Sequence, residues 1–385
     1  MQRTVEKAFF ALIRFEINGS EICDDVKNSI TPDVLPLLFK LSKRHDMAHL
    51  VGDALDKNGL LPDGTEAKKR FLKERDLAVY RYEYQNYELE QICKTLEKAE
   101  IPFVPLKGSV IRKYYPEPWM RTSCDIDILV REEDLSVAVN SLQTELSYQY
   151  ERKGSHDVSL TSVSGVNLEL HYFLGGDSEP WNQVLKRSWM YSSPKTNYNY
   201  ALTQEMFYFY HVAHMAGHFK IGGCGVRPFL DLYLIRSKVS FNNSEITNLL
   251  LEGGLAAFNK AACWLSDFWF ANGEISPTVH DLEHFVLYAG MYGDIKNRVA
   301  ISKVKKGSCF KAVCARICIP HSELKHQYPI LQKYRVLLPF CQIRRWFNLL
   351  SKEQRVRAMD ELKIATNEDV KREKLITELL KELEI

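Results

Sequence analysis

Residues 124–130 read Cys-Asp-Ile-Asp-Ile-Leu-Val, alternating polar and apolar with a period of two. Successive side chains of a strand point to opposite faces, so this segment reads as a half-buried strand that aims Asp125 and Asp127 into one small volume. Around it the pattern is helical. From Thr31 to about Lys57 apolar residues recur at helical intervals after a Thr-Pro-Asp start. Asp63 to Glu100 has no Gly or Pro after Gly64, which predicts one long helix or two nearly continuous ones. The period changes at Ile101, and short strands are expected at Ile101–Leu106, Tyr148–Glu151, Asp157–Thr161 and Val166–Phe173, with a helix over Glu132–Leu146. After Trp181 the chain turns helical again, over Thr203–Phe219, Pro228–Lys238, Ser244–Ala271, Pro277–Tyr292 and a charged tail from Ser351 to Ile385. The expected fold is therefore α+β, with an α/β core at 101–190 between an N-terminal helical region, 1–100, and a C-terminal one, 191–385.

Composition narrows the partners. With 45% hydrophobic and 26% charged residues the 385-residue chain can bury a core, which excludes a disordered polymer. Lys+Arg 51 against Asp+Glu 49 leaves +2, so no whole-chain charge favours a long nucleic acid or a membrane. Nine scattered cysteines, no secretory signal and no apolar run long enough to span a bilayer predict a cytoplasmic protein with reduced thiols. Cys309, Cys314 and Cys318 lack the CxxC knuckle of a structural zinc site.

Three segments carry chemistry: Leu106-Lys107-Gly108-Ser109, Asp125-Ile126-Asp127 and Asn167-Leu168-Glu169-Leu170-His171. Paired carboxylates need a cation, and hard oxygen ligands suit Mg²⁺, or Mn²⁺, which recruits substrate phosphates rather than being caged by protein alone. Glu169 alternates with Leu168 and Leu170 and adds a third carboxylate to a polar face. Gly108-Ser109 falls between a strand and a helix, where backbone N–H groups favour phosphate, and Lys107 and Arg121 add positive charge. Together these predict chemistry on a nucleoside triphosphate, with Lys107, Gly108, Ser109 and Arg121 on its phosphates and Asp125, Asp127 and Glu169 on the metal.

The same residues carry a resemblance. Gly108-Ser109, Asp125-Ile-Asp127 and Glu169 resemble the glycine-serine, paired-acid and third-acid signature of the DNA-polymerase-β-like nucleotidyltransferase superfamily. Adding Pro105-Leu-Lys-Gly108, Tyr114-Tyr115, Arg121, Glu169-Leu-His171 and the His-rich segment 211–218, the stretch from about 35 to 240 resembles a bacterial family described as uncharacterised nucleotidyltransferases. That resemblance implies a small mixed sheet bearing the acids, a divalent metal, and transfer of a nucleoside monophosphate with release of pyrophosphate. It implies that Asp125 and Asp127 bind two metal ions and that Glu169 binds the catalytic one or acts as base. Glu stands where many relatives carry Asp, and Lys107 where an apolar residue is commoner. No acceptor is implied; near-neutral charge favours a hydroxyl-bearing small molecule, sugar or protein over long nucleic acid, with a tRNA-directed enzyme or a non-catalytic nucleotide-binding module as the alternatives.

Blander readings stand beside several residues. Arg121 reads equally as an ion-pair partner, and His171 orients Glu169, touches substrate in a pocket shared with the histidines of 211–218, or fills the core. His211, His214 and His218 lie on one helix face and read as a substrate pocket, a zinc site or packing. Tyr114, Tyr115 and Trp119 stack on a base or cover the sheet. Arg227 and Asp231, four apart, are expected to pair with each other.

Overall fold

The computed structural model describes residues 1–175, 179–271, 273, 277–290, 297–298, 300–301, 318, 321, 324, 328, 330–348 and 370–385. Cys309, Cys314 and most of the charged tail lie outside them. The N-terminal region is helical: α1 Gln2–Asn18, α2 Asp24–Ser29, α3 Leu35–Arg44, α4 Ala48–Lys57 and α5 Glu66–Lys98. The last is one continuous helix of 33 residues, and Thr65 caps it by accepting the Lys68 N–H. Where the periodicity suggests one helix over 31–57, the chain breaks at His45–Met47. Asp46 takes a left-handed φ of 55°, and the Met47 N–H returns to Ser42 O at 2.8 Å, closing α3.

The core follows: β1 Phe103–Pro105, the one-turn α6 Gly108–Ile111, β2 Asp125–Val130, α7 Leu135–Leu146, β3 Gln149–Lys153, β4 Asp157–Thr161 and β5 Asn167–His171. The five strands form a mixed sheet in the order β1-β2-β5-β4-β3, in which only β2 and β5 run parallel. After α8, Pro180–Leu185, a small ladder joins β6, Ser192–Pro194, to β7, Tyr200–Leu202. Four further helices follow: α9 Gln204–Ile221, α10 Val226–Lys238, α11 Asn243–Glu252 and α12 Ala256–Phe270. The last two replace the single helix expected over 244–271. Gly253 and Gly254 divide them: a Cβ on Gly253 would stand 2.6 Å from the Phe209 ring, and Gly254 is left-handed. Helix α13, Pro277–Ala289, packs on α12 and is met by a C-terminal helix, Val370–Glu382, whose Ile376, Leu379 and Leu380 join the main core.

Alternation along the strands separates two surroundings. Ile126, Ile128 and Val130 of β2 join Val158 and Leu160 of β4 and Leu168 and Leu170 of β5 in one buried cluster. Ile92 and Leu96 of α5, Phe103 of β1 and Leu135, Ala138 and Leu142 of α7 belong to the same cluster. The opposite face carries Asp125, Asp127, Glu169 and His171 and meets the C-terminal helices. There Leu129 belongs to the larger core, which unites α1, α3 and α4 with α9, α10 and α12. The polar face of the sheet is thus roofed by helices from distant sequence, and the cavity forms between them.

Candidate active site

Parallel pairing of β2 with β5 sets Asp127 opposite Glu169 and Asp125 opposite Asn167. Neighbouring strands lie about 4.8 Å apart, so the register alone brings the second and third acids together. Asp127 is buried, and its Oδ1 accepts Lys107 Nζ at 2.6 Å and pairs with His171 Nε2 at 2.7 Å. Glu169 Oε2 lies 3.5 Å from the same His171 nitrogen. Asp127, Glu169 and His171 each offer one ligand atom, all within 4.8 Å of one another, and they are the single such trio among the described residues. Asp125 lines the same cavity outside that trio.

The three acids differ electrically. Burial pushes the Asp127 carboxyl up, but Lys107 and His171 outweigh it and hold the group well below the usual carboxylate range. Asp125 and Glu169 are raised, by burial first and then by the charge of Asp127. The cluster therefore holds one firmly ionised acid beside two that bind a proton more readily.

Lys107 enters from a strained turn. Its φ of 43° and ψ of −121°, with the Ser109 N–H donating to Leu106 O at 3.2 Å, are those of the first central residue of a type II′ turn. Glycine normally occupies that position, and a residue with a side chain there costs on the order of 1–3 kcal/mol. Gly108 follows, lining the cavity against Ser123; a Cβ on it would come within 3.1 Å of Ser123 Cβ. Ser123 is itself clamped to α5, its Oγ donating to Gln85 Oε1 at 2.9 Å and its carbonyl accepting Gln85 Nε2 at 3.0 Å. Arg112 Nε reaches back to Gly108 O at 3.0 Å. Among the described residues Ser109 is half-buried and outside the cavity wall, with its N–H already used by the turn.

Arg121 lines the cavity, yet its fork is engaged. Nε lies 2.9 and 3.0 Å from the Asp231 carboxylate oxygens, Nη2 lies 2.9 Å from Oδ2, and Nη1 donates to Thr122 O. Tyr115 Oη donates to the same carboxylate at 2.8 Å, which makes Tyr115 a buried tether rather than a base-stacking platform. The expected pair between Arg227 and Asp231 does not form. Arg227 instead donates to Asp46 and, at 3.2 Å, to Thr122 Oγ1, because the left-handed break after α3 presents Asp46 to α10 while Asp231 faces Arg121.

The histidine stripe of α9 is divided. His211 Nε2 donates to Pro228 O at 2.9 Å and so ties α9 to α10. His214 and His218 stand together, with rings 4.5 Å apart and Nε2 atoms 3.2 Å apart. Burial lowers the basicity of all three; Lys107 adds to this at His214 and His218. All three line the cavity of about 320 Å³, together with Lys107, Asp125, Asp127 and Glu169. That volume suits a small-molecule site. Its walls also include Tyr210, Cys224, Arg227 and Asp231, none of which the motifs single out as site residues. Tyr210 adjoins the histidine stripe in sequence, which is the one signal that points to it. The role of Asp231 rests on a contact spanning 110 residues.

A mixed five-stranded sheet presenting acids beneath a strained lysine-glycine turn is an arrangement suited to phosphate chemistry. The model of a family described as uncharacterised nucleotidyltransferase matches residues 35–271, more than half of the chain, and the chain belongs to that family. It is thereby an enzyme of the nucleotidyltransferase class. The matched stretch contains every cavity residue named above. Neither the curated proteins nor the solved structures compared with the chain gave a match.

Proposed function

We propose that the protein moves a nucleoside monophosphate from an NTP to a hydroxyl-bearing acceptor, a small molecule, sugar or protein, releasing pyrophosphate. The observation that carries this reading is the in-register placement of Asp127 and Glu169, with Asp125 beside them, in a cavity entered by the Lys107-Gly108 turn. The donor set fits a divalent cation: carboxylate oxygens of Asp127 and Glu169 converge with a His171 nitrogen, and Asp125 adds a hard oxygen nearby. Mg²⁺ or Mn²⁺ held there would supply charge neutralisation for the triphosphate.

The chain's own residues perform the remaining work. Lys107 and the Gly108 backbone hold the phosphates at the cavity mouth. Glu169, made a stronger base by burial and the charge of Asp127, takes the proton of the acceptor hydroxyl as its oxygen bonds to the α-phosphorus. The bond from that phosphorus to the β-phosphate oxygen breaks, and pyrophosphate leaves with the electron pair. His214, His218 and Tyr210 line the same cavity and form its acceptor side. The reaction belongs in a cytoplasmic setting, in keeping with nine cysteines scattered along the sequence. No helix among those residues is long and apolar enough to cross a membrane.

The test is incubation of purified protein with Mg²⁺ or Mn²⁺ and each labelled NTP, with and without cell extract, reading pyrophosphate and labelled product. Product resistant to nuclease is expected, and Asp125→Ala or Asp127→Ala should lower its formation by about a hundredfold or more. Binding without turnover in any extract, with metal and nucleotide affinity indifferent to both substitutions, would sink the proposal. Nuclease-sensitive product would move the acceptor to RNA.

A further inference from the structure

Lys107 stands where the acid cluster calls for a cation. Its ammonium lies 2.6 Å from Asp127 Oδ1, the oxygen that His171 also reaches, and Asp127 belongs to the trio of candidate metal ligands. The turn closed between Leu106 and Ser109 pins the Lys107 backbone at a positive φ that glycine would adopt more easily, so the lysine stands here against its own conformational preference. The side chain lines the cavity and is 21% exposed, and its four-carbon stem lets the ammonium swing away from Asp127 while the backbone stays fixed. The two arginines near the turn lack such freedom: Arg121 is held by Asp231, and Arg112 is buried with Nε on Gly108 O and Nη2 on Ser123 Oγ.

Resting on the nucleotidyltransferase reading above, we propose that Lys107 is a displaceable counter-ion. In the nucleotide-free protein it occupies the cation position on Asp127, and it turns to the triphosphate when the nucleotide arrives with its divalent cation. The exchange breaks one ionic contact and makes another, with no covalent change. A cation arriving alone must evict the ammonium without giving it a new partner, whereas a nucleotide provides one. Cation and nucleotide therefore bind with positive coupling, and by linkage each strengthens the other equally.

The experiment is Mn²⁺ binding by the full chain, read by electron paramagnetic resonance, with and without α,β-methylene analogues of ATP, CTP, GTP and UTP. In the wild type the accepted analogue should tighten Mn²⁺ binding about tenfold or more, a usual size for coupling between sites. Lys107→Met should bind Mn²⁺ alone about tenfold tighter than wild type and lose most of the coupling. Lys107→Arg, which keeps the charge, should stay near wild type. Lys107→Gly, suited to the positive φ, serves in place of Met should that variant fail to fold by circular dichroism. Neutral variants that bind Mn²⁺ no tighter than wild type, or that keep the coupling, overturn the role of Lys107. If wild type binds both ligands and Asp127→Asn loses Mn²⁺, that failure leaves the nucleotidyltransferase reading standing. If wild type binds neither Mn²⁺ nor any analogue, that reading falls and this one with it.

Discussion

Asp231→Asn tests whether the cavity wall rests on a buried charge pair. The Asp231 side chain is 1% exposed and that of Arg121 9%, and three contacts of 2.9–3.0 Å join them, with Tyr115 Oη on the same carboxylate at 2.8 Å. Asparagine keeps the shape and one acceptor oxygen but leaves the guanidinium without its counter-charge. Removing one partner of a buried pair costs about 3–5 kcal/mol. The retained carbonyl places this substitution near the lower end, at about 3 kcal/mol. Urea unfolding followed by tryptophan fluorescence at pH 7 should show a lower midpoint with unchanged slope. A sign follows for pH. Burial raises the Asp231 pKa, but Arg121 and His211 outweigh it, so the folded value lies below the ordinary 3.8. Its contribution is present above that ordinary value and is lost as pH falls through the lower folded one, so the wild-type and variant curves should converge below about pH 4. A penalty under about 1 kcal/mol at pH 7, the size of a surface pair, would refute the buried-pair argument.

Other outcomes follow from the same geometry. Gly108→Ala should destabilise by about 1–3 kcal/mol, because its Cβ must push Ser123 off Gln85; an unchanged thermal midpoint would show that the turn has room. His45 donates from Nε2 to Leu287 O and accepts the Val226 N–H on Nδ1, a pattern only the neutral ring can make, and burial lowers its pKa from 6.5 to about 4. The unfolded chain therefore takes up the proton first, and stability should fall by about 3 kcal/mol between pH 6.5 and 4, a slope that His45→Gln flattens in urea titrations at several pH values. Thr65→Ala, which removes the cap of α5 and touches no residue of the cavity lining by that bond, should cost about 1 kcal/mol in the same assay and leave product formation unchanged.

Much of the candidate site was readable from local pattern. Period-two alternation assigns Asp125 and Asp127 to one side of β2 and Glu169 with His171 to one side of β5, because strand geometry depends on neighbours in the chain. The Pro- and Gly-free run likewise determines α5. Local pattern was less reliable where a helix stops. Asp46 terminates α3 without a glycine, and its carboxylate is then used by Thr122 and Arg227. Spacing on a helix also misassigned the partners of Arg227 and Asp231, since an i,i+4 pair is worth only about 0.5 kcal/mol and yields to buried partners from other elements.

The sequence by itself determined which residue types could meet a phosphate and a cation, and on which face of their strands they lie. Tertiary structure alone decided which of them touch. Parallel pairing of β2 with β5 put Glu169 opposite Asp127, the roof of α9 and α10 enclosed them with His214 and His218, and the turn at 106–109 set Lys107 on Asp127 while Asp231 drew Arg121 away. The physical reason is range. Periodicity reports interactions within a few residues, whereas the charge on each acid, and the partner that answers it, depend on groups brought near only by folding.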